Sequence, residues 1–264
     1  VTKWTYNTKI PSYGATGWWD KSAYKEGMVL GDIWGLQFDR FLTEDDFNAD
    51  GSLKAGLPDQ TKVFPAGYQF APGDVLYKDL DNNGEIVKQT NTNDKGDLSV
   101  IGNALPRLQF GLNLDAAWKG FDISMFFQGV AKRKLWAAGN QVLPGFTTGE
   151  PFYKGAEDYW TPENTDAFYP RPMDYKQSAS GNYSVNDRYL LNMAYLRLKT
   201  FTVGYSLPKV WLSKFKVQGL RVYFTGENLF TIDGVKPAID PEIGIRTASG
   251  KSDQRNFGRS YPYQ

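Results

Sequence analysis

The chain has 264 residues, with 30 lysine and arginine against 29 aspartate and glutamate, a formal net charge of +1, and neither cysteine nor histidine. Because the charges are balanced and interspersed, no basic field favours nucleic acid, and we expect no nucleic-acid partner. The missing cysteine excludes disulfides and thiolate metal sites, and the missing histidine removes the usual proton shuttle at neutral pH. No apolar run approaches the roughly 20 residues of a membrane helix.

The first predicted strand covers 29–42. This segment is rich in valine, isoleucine, tryptophan, leucine and phenylalanine, and Gly31 and Gly35 interrupt it. The stretch that follows, 44–104, holds glycine, proline, aspartate and asparagine in clusters. It is far longer than the connections usual in a compact soluble domain, so we expect a long loop there.

A hairpin at 108–130 has the clearest pattern in the chain. Apolar residues alternate with polar or small ones, and the alternation continues on both sides of a turn at Lys119-Gly120. A transmembrane strand needs about 9–11 residues of such a pattern to cross the hydrocarbon core. A soluble antiparallel sheet has the same period, so the length favours a membrane strand and leaves the soluble alternative open.

Beyond the hairpin, 131–187 is a second long irregular stretch with prolines and glycines in clusters. Residues 195–205 are β-branched and aromatic with partial alternation, which predicts a strand. Residues 207–215 have a proline near their start and apolar residues at helical spacing, which predicts a short helix or turn. The last strand is predicted over 220–230, and 233–264 is polar without a strand of its own.

Tight and very long connections therefore alternate along the chain. That asymmetry is typical of an outer-membrane barrel, which has short periplasmic turns and long extracellular loops. If the turn at Lys119-Gly120 is periplasmic, strand counting places the turn at 208–218 on the same side and 44–104, 131–190 and 231–264 outside. The alternative is a soluble β-sandwich with large insertions.

The same orientation assigns the two faces of the hairpin. Leu112 and the apolar residues that alternate with it along the strand would face lipid, whereas Asn113 would face the lumen. Trp118, Tyr205 and Trp211 lie near the periplasmic strand ends, where aromatic side chains commonly form an interfacial girdle.

Several motifs occur in an order that resembles one family of proteins. They are a glycine-aromatic strand, an aspartate-rich loop, an Ile-Gly-Asn entry to the hairpin, a Trp-Thr-Pro segment and two strand-end motifs, at Gly31-Asp32-Ile33-Trp34-Gly35, Asp79-Leu80-Asp81-Asn82-Asn83-Gly84, Ile101-Gly102-Asn103, Tyr159-Trp160-Thr161-Pro162, Gly204-Tyr205-Ser206-Leu207-Pro208 and Gly226-Glu227-Asn228-Leu229-Phe230. Each motif alone is weak, but the ordered series covers nearly the whole chain. The chain resembles the C-terminal part of SusC/RagA-like TonB-dependent transporters.

This resemblance implies an all-β fold, a segment of a large antiparallel transmembrane β-barrel with about five of roughly 22 strands and long extracellular loops. We expect 1–264 to be the C-terminal part of that barrel domain, with the plug, most of the barrel and the final strand outside this chain. The remainder of the same barrel must then pair with its edges, because an open edge in lipid leaves backbone groups unsatisfied.

The resemblance also implies a function, the import of glycans or peptides across a Gram-negative outer membrane. The expected partners are membrane lipid, a SusD-like surface lipoprotein, the TonB complex, and an oligosaccharide or peptide substrate. We expect no enzyme activity, because a serine triad needs a histidine base and neighbouring carboxylates such as Asp45-Asp46 do not flank a scissile bond. The alternative from another class is a soluble carbohydrate-binding β-sandwich module with a structural calcium.

An acidic loop begins at Asp79 and resembles the first eight positions of a calcium-binding loop. Asp79, Asp81 and Asn83 place oxygen ligands at alternate positions. Gly84 permits the sharp turn, and the backbone carbonyl of Glu85 would be the next ligand.

The closing acid of this loop is displaced, because Thr90 stands at the twelfth position. Asp94 or Asp97 could supply the missing carboxylate if the loop bulges, and the family resemblance favours Asp97. Possible Ca²⁺ binding and a metal-free turn stabilised by aspartate and asparagine side chains remain equal alternatives.

Aromatic residues in the long loops are candidates for contact with a sugar, because a flat apolar ring suits the apolar side of a pyranose. Trp136, Tyr153 and Trp160 are the predicted ligand-binding residues. The alternative for each is packing of the loops or a place in the interfacial girdle.

Overall fold

The computed structural model describes residues 29, 31–88, 95–136, 142–145, 156–173, 181–235 and 239–242. In these residues the structure is mostly β, and none of their helices is long and apolar enough to cross a membrane. The strands are β1 (Asp32–Gly35), β2 (Phe38–Phe41), β3 (Val75–Tyr77), β4 (Ser99–Asn103), β5 (Gln109–Trp118), β6 (Phe121–Val130), β7 (Lys134–Leu135), β8 (Leu191–Asn192), β9 (Tyr195–Ser206) and β10 (Arg221–Asp233).

The chain divides into two compact units. Among the described residues, the loop unit is drawn from 29–105 and 134–191, and the sheet unit from 106–133 and 192–242.

The sheet unit is built on one antiparallel sheet with the strand order β10-β9-β6-β5. The hairpin of β5 and β6 pairs without interruption from Gln109 opposite Val130 to Trp118 opposite Phe121. Its two turn residues, Lys119 and Gly120, have φ angles of 45° and 89°. Positive φ at both central positions is the signature of the tight turns that match strand twist. The predicted hairpin and its turn are confirmed.

The second half of the sheet also agrees with the sequence. The strands predicted over 195–205 and 220–230 are β9 and β10, each slightly longer than expected. A short α-helix, Lys209–Leu212, and a 3-10 turn, Ser213–Phe215, connect them, as the apolar spacing predicted. Two adjacent β-strands thus meet through a compact connection, and the sheet has both of its short turns at one end.

The prediction of one continuous strand over 29–42 is wrong. The structure divides this segment into β1, which pairs with β4, and β2, which pairs with β3, both in the loop unit. Between them Leu36 is fully buried, and its backbone N–H donates to the carbonyl of Val185 at 2.9 Å. This bond to a distant segment bends the backbone away from a single ladder, and Gly35 permits the close approach because a Cβ there would lie 2.7 Å from the Val185 oxygen.

The core of the loop unit combines apolar packing with a buried polar junction. Asp74 is fully buried, and the Arg171 guanidinium lies 2.8 Å from its carboxylate. The side-chain amide of Asn182 donates to the same carboxylate at 3.0 Å, while its oxygen accepts from the Val75 backbone at 2.8 Å. The segments of Arg171 and Asn182 are therefore joined to the distant Asp74 at one carboxylate, whose buried charge is satisfied by these partners. The apolar part comprises Leu36, Phe41, Val63, Phe64, Val75, Tyr77, Ile86, Leu98, Trp160 and Ala167.

A second ion pair closes the turn after β2. Arg40 donates two hydrogen bonds to the Asp46 carboxylate, at 2.6 and 2.7 Å, and the Thr43 backbone N–H donates a third at 2.8 Å. The bidentate guanidinium lowers the pKa of Asp46 to about 2. The carboxylate is therefore stabilised in its charged form by the fold.

This pair predicts an acid-sensitive contribution to stability. Because the folded pKa lies below the unfolded value of about 3.9, the contribution is complete above that pH and disappears as the pH falls through about 2. Arg40 is partly exposed and therefore screened, so we expect Asp46→Asn to cost about 1 kcal/mol at pH 7 and only a small part of that at pH 2, measured by urea unfolding. Asp45→Asn, which removes an exposed neighbouring charge, is the control; an equal loss in both variants at pH 7 would contradict the assignment.

Candidate functional site

The register of the four-stranded sheet separates two faces of opposite chemistry. Residues paired across neighbouring strands point to the same side, so the pairing can be followed from β5 to β10. The apolar face comprises Phe110, Leu112, Leu114, Ala116, Trp118, Phe121, Ile123, Met125, Phe127, Gly129, Leu196, Leu198, Phe201, Val203, Tyr205, Val222, Phe224, Gly226, Phe230 and Ile232. The polar face comprises Gln109, Gly111, Asn113, Asp115, Ala117, Asp122, Ser124, Phe126, Gln128, Val130, Tyr195, Arg197, Thr200, Thr202, Gly204, Ser206, Arg221, Tyr223, Thr225, Glu227, Thr231 and Asp233.

A β-bulge in β9 keeps the apolar face continuous. Phe126 of β6 pairs with Thr200, but the next residue, Phe127, pairs with Leu198, so Lys199 is an extra residue in β9. Strict alternation would place Leu198 on the same side as Thr200. The bulge reverses the phase and returns Leu198 to the apolar face, which explains why the alternation in this strand is only partial in sequence.

The apolar face is largely exposed on its two outer strands, β5 and β10, and mostly half-buried on the inner strands, β6 and β9. Leu112 and Leu114 at the middle of β5 are 49% and 43% exposed, and Phe224 on β10 is 60% exposed. Within the face, Phe121 packs on Tyr205 with ring centroids 4.4 Å apart. A sheet in water buries its apolar face, so an exposed face of this extent is suited to an apolar solvent.

The polar face contains an ion pair that crosses a strand. The Arg221 guanidinium of β10 donates to the Asp122 carboxylate of β6 at 2.5 and 3.2 Å. Between them lies Gly204 of β9, where a Cβ would stand 2.6 Å from the Arg221 Nη2 atom and 2.7 Å from Asp122 Oδ1. The glycine therefore leaves room for the pair. The sequence predicts that both residues lie in strands. It does not predict that they form an ion pair, because it does not show the register between β6 and β9.

A buried charge network lies on the same face towards the opposite ends of β9 and β10. Arg197 contacts Asp240 at 2.9 Å and Glu242 at 3.1 Å, and Lys199 contacts Glu242 at 2.7 Å. The Arg197 Nε also donates to the hydroxyl of Thr231 at 2.7 Å. This network fastens the segment 239–242 to β9. Sequence reasoning missed it because these acids follow the last predicted strand in a polar segment without a pattern.

The acidic loop brings three carboxylates together. Asp79, Asp81 and Asp97 each have a carboxylate oxygen within 4.8 Å of the other two. Asp97 is fully buried and accepts hydrogen bonds from the backbone N–H groups of Leu80 and Val87, both at 2.8 Å. These bonds hold the displaced acid against the start of the loop, where the motif needs a closing carboxylate.

The remaining predicted ligands of the loop have local partners. The Asn83 side-chain oxygen accepts from the Glu85 backbone at 2.7 Å, and the Glu85 carboxylate pairs with Lys62. The motif requires only the backbone carbonyl of Glu85, so this ion pair is compatible with it. Desolvation and repulsion from Asp97 and Asp79 raise the pKa of Asp81 above its usual value. A cation would relieve that repulsion, and oxygen donors of this kind suit Ca²⁺.

The three aromatic candidates differ in their placement. Trp160 is 7% exposed and belongs to the core of the loop unit, where its ring lies against the backbone of Gly73, so it offers no open surface to a ligand. Trp136 is half-buried. Tyr153 lies outside the described residues. A contact with sugar remains a prediction for Trp136 and Tyr153.

Comparisons with known proteins place this architecture in a family. No family model matches the chain. The TonB-dependent receptor P3 of Formosa agariphila is 29% identical over 243 residues, covering 90% of this chain and 21% of the relative. The TonB-dependent receptor P26 of the same organism is 34% identical over 188 residues, covering 69% of this chain and 18% of that relative. The chain thus spans about a fifth of the length of these curated relatives.

Solved structures show the same fold. A chain of the RagAB peptide importer in its open-open state matches with a TM-score of 0.52 at 18% identity, over 90% of this chain and 22% of that chain. A chain of the RagAB peptide transporter matches with a TM-score of 0.50 at 17% identity, over 80% of this chain and 20% of that chain. These relatives are named as receptors or transporters, and none of them as an enzyme.

The sequence relatives and the two-faced sheet define the class of protein, a segment related to TonB-dependent receptors. The resemblance to SusC/RagA-like TonB-dependent transporters that the motifs predicted is confirmed.

The buried network on β9 predicts an unequal response to the loss of two arginines on the same face. Arg197→Met leaves Asp240 and Glu242 buried without their main cation, and breaking a buried pair costs about 3–5 kcal/mol. Arg221→Met breaks the more exposed pair with Asp122 and should cost about 0–1 kcal/mol. Denaturant unfolding of the two variants measures the difference. Equal losses would contradict the special role of the buried network.

Proposed function

We propose that this chain forms part of the transmembrane wall and the outer loops of a TonB-dependent importer in the outer membrane. The observation that carries this proposal is the apolar face, which continues across four strands, has no charged residue and is exposed over most of β5 and β10. The strands have 10, 10, 12 and 13 residues, and a tilted strand crosses a bilayer with about 9–11. A soluble sandwich would instead bury such a face against a second sheet.

The edges of the sheet indicate how the wall is completed. Among the described residues no strand pairs with the outer edge of β5 or of β10. In lipid these edges must be paired, because each unsatisfied backbone group costs several kcal/mol. The neighbouring strands would come from the remainder of the same barrel, which in transporters of this class has about 22 strands around a plugged lumen. This chain would contribute four of them, since 29–42 belongs to the loop unit.

The orientation and partners follow from the family. The short turns of the sheet would face the periplasm. Strand counting would then place the long connection after β6 outside, where a SusD-like lipoprotein would bind. Import would be driven by the TonB complex through parts of the protein other than these strands. The substrate would be an oligosaccharide or a peptide, and Trp136 and Tyr153 are the aromatic residues proposed to contact it.

Calcium binding by the acidic loop is a further part of this proposal. The carboxylates of Asp79, Asp81 and Asp97 converge. The loop motif would add the amide oxygen of Asn83 and the backbone carbonyl of Glu85 as further oxygen donors. The ion would fasten the loop to Asp97 and so rigidify an extracellular segment. Its role would be structural.

Charge substitution on the two faces of β5 tests the wall. Leu112 is on the apolar face, and a lysine there would lie near the middle of the bilayer, where it costs about 2–4 kcal/mol. Asn113 is on the polar face, where a lysine should be tolerated. We therefore expect Leu112→Lys to reduce the folded, heat-modifiable form of the full-length transporter in outer membranes severalfold and Asn113→Lys to leave it unchanged. Equal tolerance at both positions would overturn the proposal.

Calorimetric titration of the purified full-length transporter with Ca²⁺ tests the acidic loop. Wild type should show binding in the range of extracellular sites, about 10⁻⁴–10⁻³ M, and Asp79→Ala and Asp81→Ala should abolish that heat. Asp50→Ala, in another exposed acidic turn, is the matched control and should retain it. If Asp79→Ala and Asp81→Ala give the same heat as wild type, the loop is a metal-free turn.

A further inference from the structure

Two connections meet at one end of the sheet and form a single surface. The Ser206 backbone N–H donates to the carbonyl of Gly120 in the hairpin turn at 2.8 Å. The Leu207 backbone N–H donates to the carbonyl of Leu220 at 2.9 Å. Beside them the rings of Phe121 and Tyr205 pack with centroids 4.4 Å apart. The hairpin turn and the connection 207–220 are therefore neighbours at the same end of the strands.

This end of the sheet is strongly basic. The hairpin turn and the connection 207–220 contain no aspartate or glutamate, although the whole chain has a formal charge of only +1. Their four lysines are all exposed, and no ion pair among the described residues involves them. We call these residues the basic rim, which consists of Lys119, Lys209, Lys214 and Lys216.

Exposed apolar side chains lie among these lysines. In the short helix Val210 and Trp211 are 75% and 59% exposed, while Leu212 is buried and anchors the helix. In the hairpin Trp118 is 68% exposed, and the Lys119 Nζ atom lies 4.8 Å from the centroid of its ring. Cationic groups next to exposed indole and aliphatic groups are the composition of a surface that sits at a membrane interface.

We propose that the basic rim binds the headgroups of anionic glycerophospholipids in the membrane leaflet beside the short turns. This inference rests on the proposed function, because it needs the apolar face to be in lipid. An anionic phospholipid matches both components of the surface: its phosphate matches the lysines, and its acyl chains match Trp118, Val210 and Trp211. A soluble polyanion would match only the lysines and leave the apolar side chains in water.

The apolar face continues into this surface. Trp118 is its last residue on β5, and Phe121 and Val222 are its first residues on β6 and β10. Lipid that covers the apolar face therefore has its headgroup level with the basic rim. Each lysine near an anionic surface is worth about 1 kcal/mol, which corresponds to roughly fivefold in affinity.

The test uses the full-length transporter in detergent, titrated with phosphatidylglycerol or phosphatidylcholine and followed by native mass spectrometry. Wild type should prefer phosphatidylglycerol. A variant with Lys119→Gln, Lys209→Gln, Lys214→Gln and Lys216→Gln should lose at least tenfold in affinity for phosphatidylglycerol and keep its affinity for phosphatidylcholine. The matched control carries Lys54→Gln, Lys78→Gln, Lys95→Gln and Lys132→Gln, four exposed lysines elsewhere in the chain, and should behave as wild type.

Two outcomes would overturn the proposal and are distinguishable. If the transporter migrates as a folded, heat-modifiable barrel but the basic-rim variant and the control bind phosphatidylglycerol equally, the lipid site is wrong and the proposed function stands. If the protein is folded in plain buffer without detergent and binds neither lipid, the proposed function fails together with the lipid site.

Discussion

Cross-strand register in the four-stranded sheet is the constraint on which the other features depend. Because successive side chains alternate between faces, a slip of one residue in any strand would move its apolar set to the other side. The tight turn at Lys119-Gly120 sets the register of β5 against β6, and the bulge at Lys199 corrects the register of β9. Together with a register shift between Glu227 and Phe230 in β10, these two devices make one face apolar across all four strands.

The polar face follows from the same register. Two sets of charged groups lie on this face where a neighbour makes room for them or supplies a partner. Gly204 gives space to the pair of Asp122 and Arg221, and the segment with Asp240 and Glu242 covers Arg197. In a barrel these groups would line the lumen, where water and paired charge tolerate them, whereas a single charge on the other face would meet hydrocarbon. The asymmetry between the faces is therefore energetic as well as compositional.

Much of this sheet could be predicted from sequence, because its signals are local. The hairpin, its turn and the short helix after Pro208 depend on alternation and on residues close in the chain. The failures depend on distant partners. The segment 29–42 divides because Leu36 bonds to Val185, and Trp160 is buried because the chain returns to pack it against Gly73. For the acidic loop, the sequence named the residues, and only the fold could bring Asp97 to Asp79 and Asp81.

The central claim is that the apolar face of the sheet contacts lipid. Spin labels at single cysteines introduced at Leu112, Asn113, Leu114 and Asp115 of the full-length transporter, reconstituted in bilayers, measure this most directly through collision with oxygen and with a water-soluble nickel reagent. The register predicts oxygen accessibility at Leu112 and Leu114 and nickel accessibility at Asn113 and Asp115, with a period of two. Equal nickel accessibility at all four positions would contradict it.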